Sequence, residues 1–256
     1  MLNVFFGPTV NAARAICSQV ETALTQCSTN FQMAVNPQIT KNYAVGNLTD
    51  MHTLLFRSSK FSFYLIFIFA LPLLYGTEYV LSLWLVNVPD YTADFVRIML
   101  CTILVNSTAQ PIAIAAAATG RVKVYQSVVG GILLLILPFS YIALKLGYNA
   151  NSVYVVHFAI VVLSCIVRLI IVRPMIGLSL KLYAKRVCIP ILKVMAIVLV
   201  LVESQILMTG LSRGSVWSLC LIFLTSVLGC YLCGLEYGER LFISTKIKSV
   251  FVRLGR

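Results

Sequence analysis

Long apolar segments with almost no charge follow one another along most of this chain, and only short polar connections separate them. The hydrocarbon core of a bilayer needs about 20 predominantly apolar residues for one helical crossing. Segments of this kind lie at 10–35, 59–75, 92–118, 125–146, 152–172, 187–208 and 216–235. No connection is long enough for a soluble domain, and the mean hydropathy of +0.94 exceeds that of ordinary soluble domains. The sequence therefore predicts an all-α integral membrane protein with about seven transmembrane helices.

Two prolines and one short amphipathic segment refine these boundaries. Pro37 is expected to end the first helix, and Pro72 is expected to kink the end of the second. The segment 78–85 is amphipathic and carries Trp84, which is typical of a helix at the level of the lipid headgroups.

The basic residues are divided unevenly between the two sides of the expected bundle. When the connections are assigned to alternating sides, sixteen of the 20 Lys and Arg residues fall on one side. Only Arg14, Arg97, Lys145 and Arg213 fall on the other. This bias predicts a cytoplasmic C-terminus and an outer N-terminus, and it argues against a nucleic-acid partner. The basic tail, 237–256, is interpreted either as a helix on anionic lipid or as a disordered segment.

The eight cysteines do not indicate a metal or redox site. Seven lie inside apolar helical segments, and they are interpreted as small buried hydrophobic residues. Cys230 and Cys233 form a C-x-x-C pair, but no second pair or nearby histidine accompanies it. With two His and eight acidic residues, the chain also has little material for a catalytic centre. We expect no cofactor and no enzymatic activity.

The first predicted helix carries a polar stripe along one of its faces. Steps of three and four residues place seven polar side chains on that face: Asn11, Arg14, Ser18, Glu21, Thr25, Ser28 and Gln32. The opposite face is apolar from Val10 to Phe31. A membrane helix with one polar face usually borders a water-filled cavity or a protein interior, so the stripe points to transport.

The charged pair on this stripe has two interpretations. Arg14 and Glu21 suit a cavity wall that binds a diphosphate, with Glu21 setting the charge balance. Alternatively, Arg14 lies near the headgroups at the outer mouth and Glu21 is paired with a neighbouring helix. Further along, Gln32, Asn36 and Pro37 either bind a hydroxyl-rich sugar or satisfy backbone groups at the expected helix end.

Polar residues also interrupt three other helices. Asn106 and Gln110 share a face next to Pro111, which indicates either a discontinuous, cavity-lining helix or hydrogen bonding between packed helices. His157 and Arg168 suggest either a proton pathway or ordinary hydrogen-bonded side chains. In the sixth helix, Lys193 and Glu203 are ten residues apart and cannot pair, and Lys193 is expected to be a snorkelling anchor.

Several short sequences, in this order and spacing, resemble the C-terminal lobe of bacterial polysaccharide flippases of the MATE-like exporter superfamily. They are Phe5-Phe6-Gly7-Pro8, Val10-Asn11-Ala12-Ala13-Arg14, Asn30-Phe31-Gln32, Val35-Asn36-Pro37-Gln38-Ile39, Phe56-Arg57-Ser58-Ser59-Lys60-Phe61, Leu83-Trp84-Leu85, Val88-Pro89-Asp90-Tyr91 and Ala118-Thr119-Gly120-Arg121. The resemblance covers nearly the whole chain. It implies most of the second lobe of a two-lobe transporter, with 1–208 in that lobe, 209–236 as an additional helix and 237–256 as a cytoplasmic tail.

The resemblance also implies a function and a set of partners. The function is the flipping of a polyprenyl-diphosphate-linked oligosaccharide across the bacterial inner membrane for O-antigen, capsule or exopolysaccharide synthesis. The partners are this lipid-linked substrate, the bilayer, a first lobe preceding this segment, and other polysaccharide assembly proteins. The expected cavity residues are Asn11, Arg14, Ser18, Glu21, Thr25, Gln32, Asn36, Asn106 and Gln110. The alternatives are a cation-coupled drug exporter, a membrane enzyme of envelope polysaccharide assembly, and a remnant that does not transport.

Overall fold

The computed structural model describes residues 2–209, 215–236 and 239–240. These ranges are helical and contain no strand. The elements are α1 (Leu2–Phe6), α2 (Pro8–Ala44), α3 (Leu48–Tyr75), α4 (Thr77–Trp84), α5 (Thr92–Ala118), α6 (Val122–Leu134), α7 (Ile136–Lys145), α8 (Asn151–Ile176), α9 (Leu180–Tyr183), π1 (Ala184–Cys188), α10 (Ile189–Thr209), α11 (Val216–Gly229) and π2 (Cys230–Gly234). The basic tail lies outside the described residues, apart from Glu239 and Arg240.

The described helices confirm an all-α, multi-pass integral membrane protein. Six helical spans are long and apolar enough to cross a bilayer, and they coincide with the second to seventh predicted crossings. The first predicted crossing, α2, is not among these six, because its polar stripe lowers its hydropathy. With 37 residues, α2 is about 55 Å long, and it packs lengthwise against the crossing helices α3 and α5. Its length and its neighbours therefore suit a seventh crossing.

The prediction that Pro37 ends the first helix is wrong. Helix α2 continues through Pro37 to Ala44. A proline inside a helix costs about 3 kcal/mol, because it removes one backbone hydrogen bond and crowds the preceding turn. Beyond the proline, Ile39 is completely buried, and Thr40 donates its hydroxyl to the Asn36 carbonyl at 3.2 Å. This packing favours continuation of the helix.

Two further crossings are less regular than the sequence pattern suggests. The fourth is divided into α6 and α7 at Leu135, because Pro138 has no N–H to donate to the carbonyl of Leu134. The sixth begins earlier than predicted, with α9 and the π-helical turn π1 ahead of α10. The predicted interfacial segment is present as α4, in which the Trp84 side chain is exposed.

The core of the bundle lies around α3 and α5. These two helices pack against each other and against α2, while α8 covers α5 and α11 covers α3. Phe67, Phe95 and Leu100 are among the fully buried side chains of this core. Large apolar side chains are instead exposed on the outer helices, for example Leu134 on α6 and Val200 on α10. Such an apolar exterior is what a bilayer requires.

The cysteines are less buried than their apolar surroundings predict. Cys17 and Cys230 are buried, but Cys27, Cys101, Cys188 and Cys220 are exposed on the helix surfaces. The expectation that all of them are buried is therefore wrong. In a bilayer a small apolar side chain has no need to be buried in protein, because lipid is also apolar. All eight are free thiols.

Two helical glycines provide a matched test of the packing around α11. A Cβ on Gly229 would overlap Cγ2 of Val198, whereas a Cβ on Gly130 in α6 meets nothing within 4 Å. We expect Gly229→Ala to lower the free energy of unfolding by about 1–3 kcal/mol, because the stiff Val198 side chain has to move. Gly130→Ala should raise it by up to about 1 kcal/mol through helix propensity. Unfolding of both variants in detergent micelles with increasing SDS measures the difference; equal effects would contradict this packing.

Candidate substrate cavity

The polar stripe of α2 behaves differently in its two halves. In the first half, Val10, Ala13 and Cys17 are buried against the bundle, whereas Asn11 and Arg14 are exposed. The predicted division into an apolar, packed face and a polar, open face is confirmed there. The described residues leave this polar face uncovered, so in the membrane it needs water or another protein surface.

In the second half of α2 the polar stripe faces the interior of the protein. Ser28 and Gln32 are only 4% and 7% exposed, and Gln32 Nε2 donates to Ser28 Oγ at 3.2 Å and to Ser62 Oγ of α3 at 3.0 Å. Steps of three and four residues average 3.5, whereas the helix has 3.6 residues per turn, so the stripe drifts by about 20° per seven residues. The stripe therefore starts on the open face and ends between helices.

A cleft of about 360 Å³ lies where the open half of α2 faces α7 and α8. Three residues of the predicted site, Arg14, Ser18 and Glu21, line one wall. The opposite wall combines polar with apolar side chains from α7 and α8: Ile136, Leu137, Ser140, Val153, Tyr154 and His157. The fold thus brings one cation, one carboxylate, an imidazole and two serine hydroxyls to a single concave surface.

Ser140 adds a feature to this cleft that the sequence did not indicate. Its Oγ is buried and has no hydrogen-bond partner in the structure. A buried hydroxyl without a partner is costly, which favours occupancy by a water molecule or a polar ligand group. A serine in an apolar segment is too common to single out from sequence, and its position in the cleft depends on the break at Leu135.

A second, much smaller hollow of about 50 Å³ collects four other residues of the predicted site. Thr25 and Gln32 of α2 line it together with Asn106 and Gln110 of α5. Thr25 Oγ1 donates to the Glu21 carbonyl at 2.8 Å, and Gln32 is hydrogen-bonded as described above. The hollow holds one or two water molecules at most, so these residues form a polar contact between α2 and α5 in this conformation.

Helix α5 is continuous from Thr92 to Ala118, so the discontinuous helix expected at Pro111 is wrong. Hydrogen bonds from neighbouring helices reach its backbone one turn before the proline instead. Ser59 Oγ and Tyr183 OH donate to the Thr108 carbonyl at 3.2 and 3.4 Å. The alternative expectation, hydrogen bonding between packed helices, is confirmed at this position.

The remaining predicted residues lie apart from both hollows. Asn11 is exposed and does not line the cleft, and Asn36 is half-buried, with its Oδ1 unpartnered in the structure. Arg168 is not brought together with His157 in the cleft; its Nε donates to Ser164 Oγ at 3.3 Å. Glu203 accepts a hydrogen bond from Tyr75 OH at 2.7 Å, and Lys193 is exposed, as expected for residues that do not pair with each other.

Another open cavity, of about 580 Å³, lies at the end of the bundle where α3 meets α4. Glu78, Arg97 and Glu203 line it. Arg97 is paired with Glu78 at 3.1 Å and with Asp94 at 3.7 Å, so its charge is balanced within the protein. We therefore give priority to the cleft along α2.

A buried ion pair is the feature that sequence reasoning missed most clearly. Lys60 Nζ lies 2.8 Å from Glu239 Oε2, and the two side chains are only 2% and 3% exposed. The sequence pattern shows Lys60 only as one of the sixteen basic residues on the predicted cytoplasmic side. Its partner is 179 residues away, and no local pattern indicates the pairing.

The described residues contain no group of three His, Cys, Asp or Glu side chains that suits a metal ion. Comparisons with models of protein families, with curated proteins and with solved structures find no match to this chain. The helices themselves define the class of protein, which is a multi-pass, all-α membrane protein. The resemblance to polysaccharide flippases stays a prediction.

Proposed function

We propose that this chain forms part of the translocation cavity of a flippase for polyprenyl-diphosphate-linked oligosaccharides. The observation that carries the proposal is the cleft along α2, in which Arg14, Ser18 and Glu21 face Ser140 and His157 inside an apolar bundle. Isolated charged residues in a membrane protein are costly unless they serve a polar pathway. The order and spacing of the motifs from Phe5 to Arg121 give the proposal its substrate class.

Each wall of the cleft has a role in this proposal. The guanidinium of Arg14 binds diphosphate oxygens, for which its planar fork is well suited. The hydroxyls of Ser18 and Ser140 bind the sugar or a phosphate oxygen, and Glu21 limits the net positive charge. Leu137 and Val153 offer apolar contact for the first part of the lipid chain, which otherwise remains in the bilayer.

The open polar face of α2 gives the proposal its second element. Contact with lipid is unfavourable for the polar side chains of Asn11, Arg14 and Ser18. In the proposed transporter, a second helical lobe therefore faces this surface across a water-filled cavity. Rocking of the two lobes would open the cavity to each side in turn. The bias of the basic residues supports a cytoplasmic C-terminus. In the proposed function, the substrate moves from the cytoplasmic to the outer leaflet of a bacterial inner membrane.

Binding of a fluorescent polyprenyl-diphosphate oligosaccharide to the purified chain in neutral detergent tests the proposal. We expect saturable binding that the unlabelled diphosphate lipid displaces and that the corresponding monophosphate displaces at least about tenfold less well. Displacement by an organic cation instead would favour the cation-coupled drug exporter. Binding that none of these compounds displaces would refute a specific site.

A further inference from the structure

The carboxylate of Glu239 lies beside two cations in the first half of α3. Lys60 Nζ approaches Oε2 at 2.8 Å, and Arg57 Nε approaches Oε1 at 3.6 Å. Arg186, from the π1 turn, lines the same small pocket of about 20 Å³, as does Glu236. Three cations therefore share a pocket with two carboxylates, and Glu239 is the carboxylate bound between Arg57 and Lys60.

Lys60 needs an anion at this position at all times. Its side chain is 2% exposed, and an ammonium group that is buried without a counter-charge is strongly unfavourable. Arg57 is 47% exposed on its side chain, so the cation group is open to solvent on one side. An anion from outside can therefore approach Arg57 first and reach Lys60 once the carboxylate leaves.

Glu239 belongs to the segment 235–240, and the described residues of this segment make few polar contacts with helices other than π2. Within the described part of residues 235–240, the hydrogen bonds of Glu236 and Arg240 stay inside the segment or go to π2. The Glu239 carboxylate forms the polar contact between this segment and α3. One further hydrogen bond connects α3 to π2, from Tyr64 OH to the Gly234 carbonyl at 3.3 Å. Among the described residues, replacement of the Glu239 carboxylate by another anion removes both ion pairs between this segment and α3.

We propose that Arg57, Lys60 and Arg186 form a binding site for phosphate oxyanions, and that Glu239 occupies this site as an internal competitor. Phosphate and diphosphate groups present several oxygens to such a group of cations, and an Arg with a Lys is a common pairing for them. Binding displaces the Glu239 carboxylate from Arg57 and Lys60, so the site is also a switch. This proposal rests on the ion-pair geometry alone and does not depend on substrate transport in the cleft.

Pyrophosphate binding to the purified full chain in neutral detergent tests the site. We expect Glu239→Gln, which removes the internal charge and keeps the side-chain shape, to bind radiolabelled inorganic pyrophosphate about tenfold more tightly than the wild type. The control is Asp90→Asn, which removes an exposed carboxylate outside this pocket and should change the affinity less than about twofold. Adding Lys60→Met to Glu239→Gln should abolish the gain. Equal affinities for Glu239→Gln and the wild type would overturn the proposal.

A reversed ion pair keeps the test decisive if Glu239→Gln does not fold. The double variant Lys60→Glu with Glu239→Lys retains opposite charges but moves the cation from α3 onto the segment 235–240. We expect the wild type to bind pyrophosphate weakly and the reversed pair to bind at least about tenfold more weakly still. Pyrophosphate binding of equal strength in both proteins would exclude the site.

Lipid nanodiscs distinguish the two sources of the phosphate group. If the natural ligand is an anionic phospholipid headgroup, Glu239→Gln should bind pyrophosphate tightly in zwitterionic phosphatidylcholine and lose this affinity when anionic phosphatidylglycerol is added. If it is a free phosphate compound, the affinity should be the same in both lipids. In either lipid, tight binding that survives the Lys60→Met change would contradict the proposal.

Discussion

Lys60→Ala is expected to destabilise this protein by about 3–5 kcal/mol, because it leaves the buried carboxylate of Glu239 without its main counter-charge. Arg57→Ala is the matched control. Arg57 lies 3.6 Å from the same carboxylate but is half exposed, so its loss should cost less than about 1 kcal/mol. Unfolding in mixed micelles with increasing SDS gives both values.

Replacement of both partners separates the ion pair from the packing around it. Lys60→Met combined with Glu239→Met removes the two charges together and fills similar volumes. We expect this double variant to be within about 1–2 kcal/mol of the wild type, since buried ion pairs are often neutral relative to apolar pairs. A double variant as unstable as Lys60→Ala would show that the side-chain packing, and not the uncompensated charge, causes the loss.

Arg14→Gln is expected to weaken binding of the fluorescent diphosphate lipid about 10- to 100-fold. A hydrogen bond to a charged group contributes about 1.5–3 kcal/mol, and glutamine keeps the polarity of the side chain without its charge. Arg121→Gln is the control, because Arg121 is also exposed but lies directly before α6, outside the cleft. Equal losses in the two variants would mean that Arg14 acts only through overall charge.

Gln32→Met should leave the same affinity unchanged within about twofold. Gln32 is buried and its amide is already bound to Ser28 and Ser62, so its replacement affects helix packing rather than the cleft. The expected cost in stability is about 1 kcal/mol, which SDS unfolding measures. A large loss of affinity without a loss of stability would return Gln32 to the substrate pathway.

The membrane crossings were predictable because the hydropathy of a segment depends only on the residues within that segment. The predicted limits 92–118 coincide with α5, and five other crossings are recognisable with shifted ends. The ends were less predictable at prolines. Pro37 lies inside a helix because Ile39 is buried beyond it, whereas Pro138 follows a real break at Leu135. The sequence around each proline does not contain that tertiary information.

The sequence predicted the residues of only one wall of the cleft. Arg14, Ser18 and Glu21 share a cleft as their spacing indicated, since all three belong to one helix. Ser140 and Tyr154 on the opposite wall depend on how α7 packs against α8 and α8 against α5, which no local pattern encodes. The drift of the stripe, which buries Gln32, follows from the difference between 3.5 and 3.6 residues per turn and was accessible in principle.

The central claim is that α2 crosses the membrane with water along its polar face. Single cysteines at Asn11, Arg14 and Ser18, in a chain whose native cysteines are replaced by alanine, test it against cysteines at Val10, Ala13 and Leu24. In membrane vesicles, a membrane-impermeant maleimide should label the first set at least about tenfold faster than the second, because only the first is exposed on the polar face. Equal labelling of the two sets would contradict a water-filled pathway along this helix.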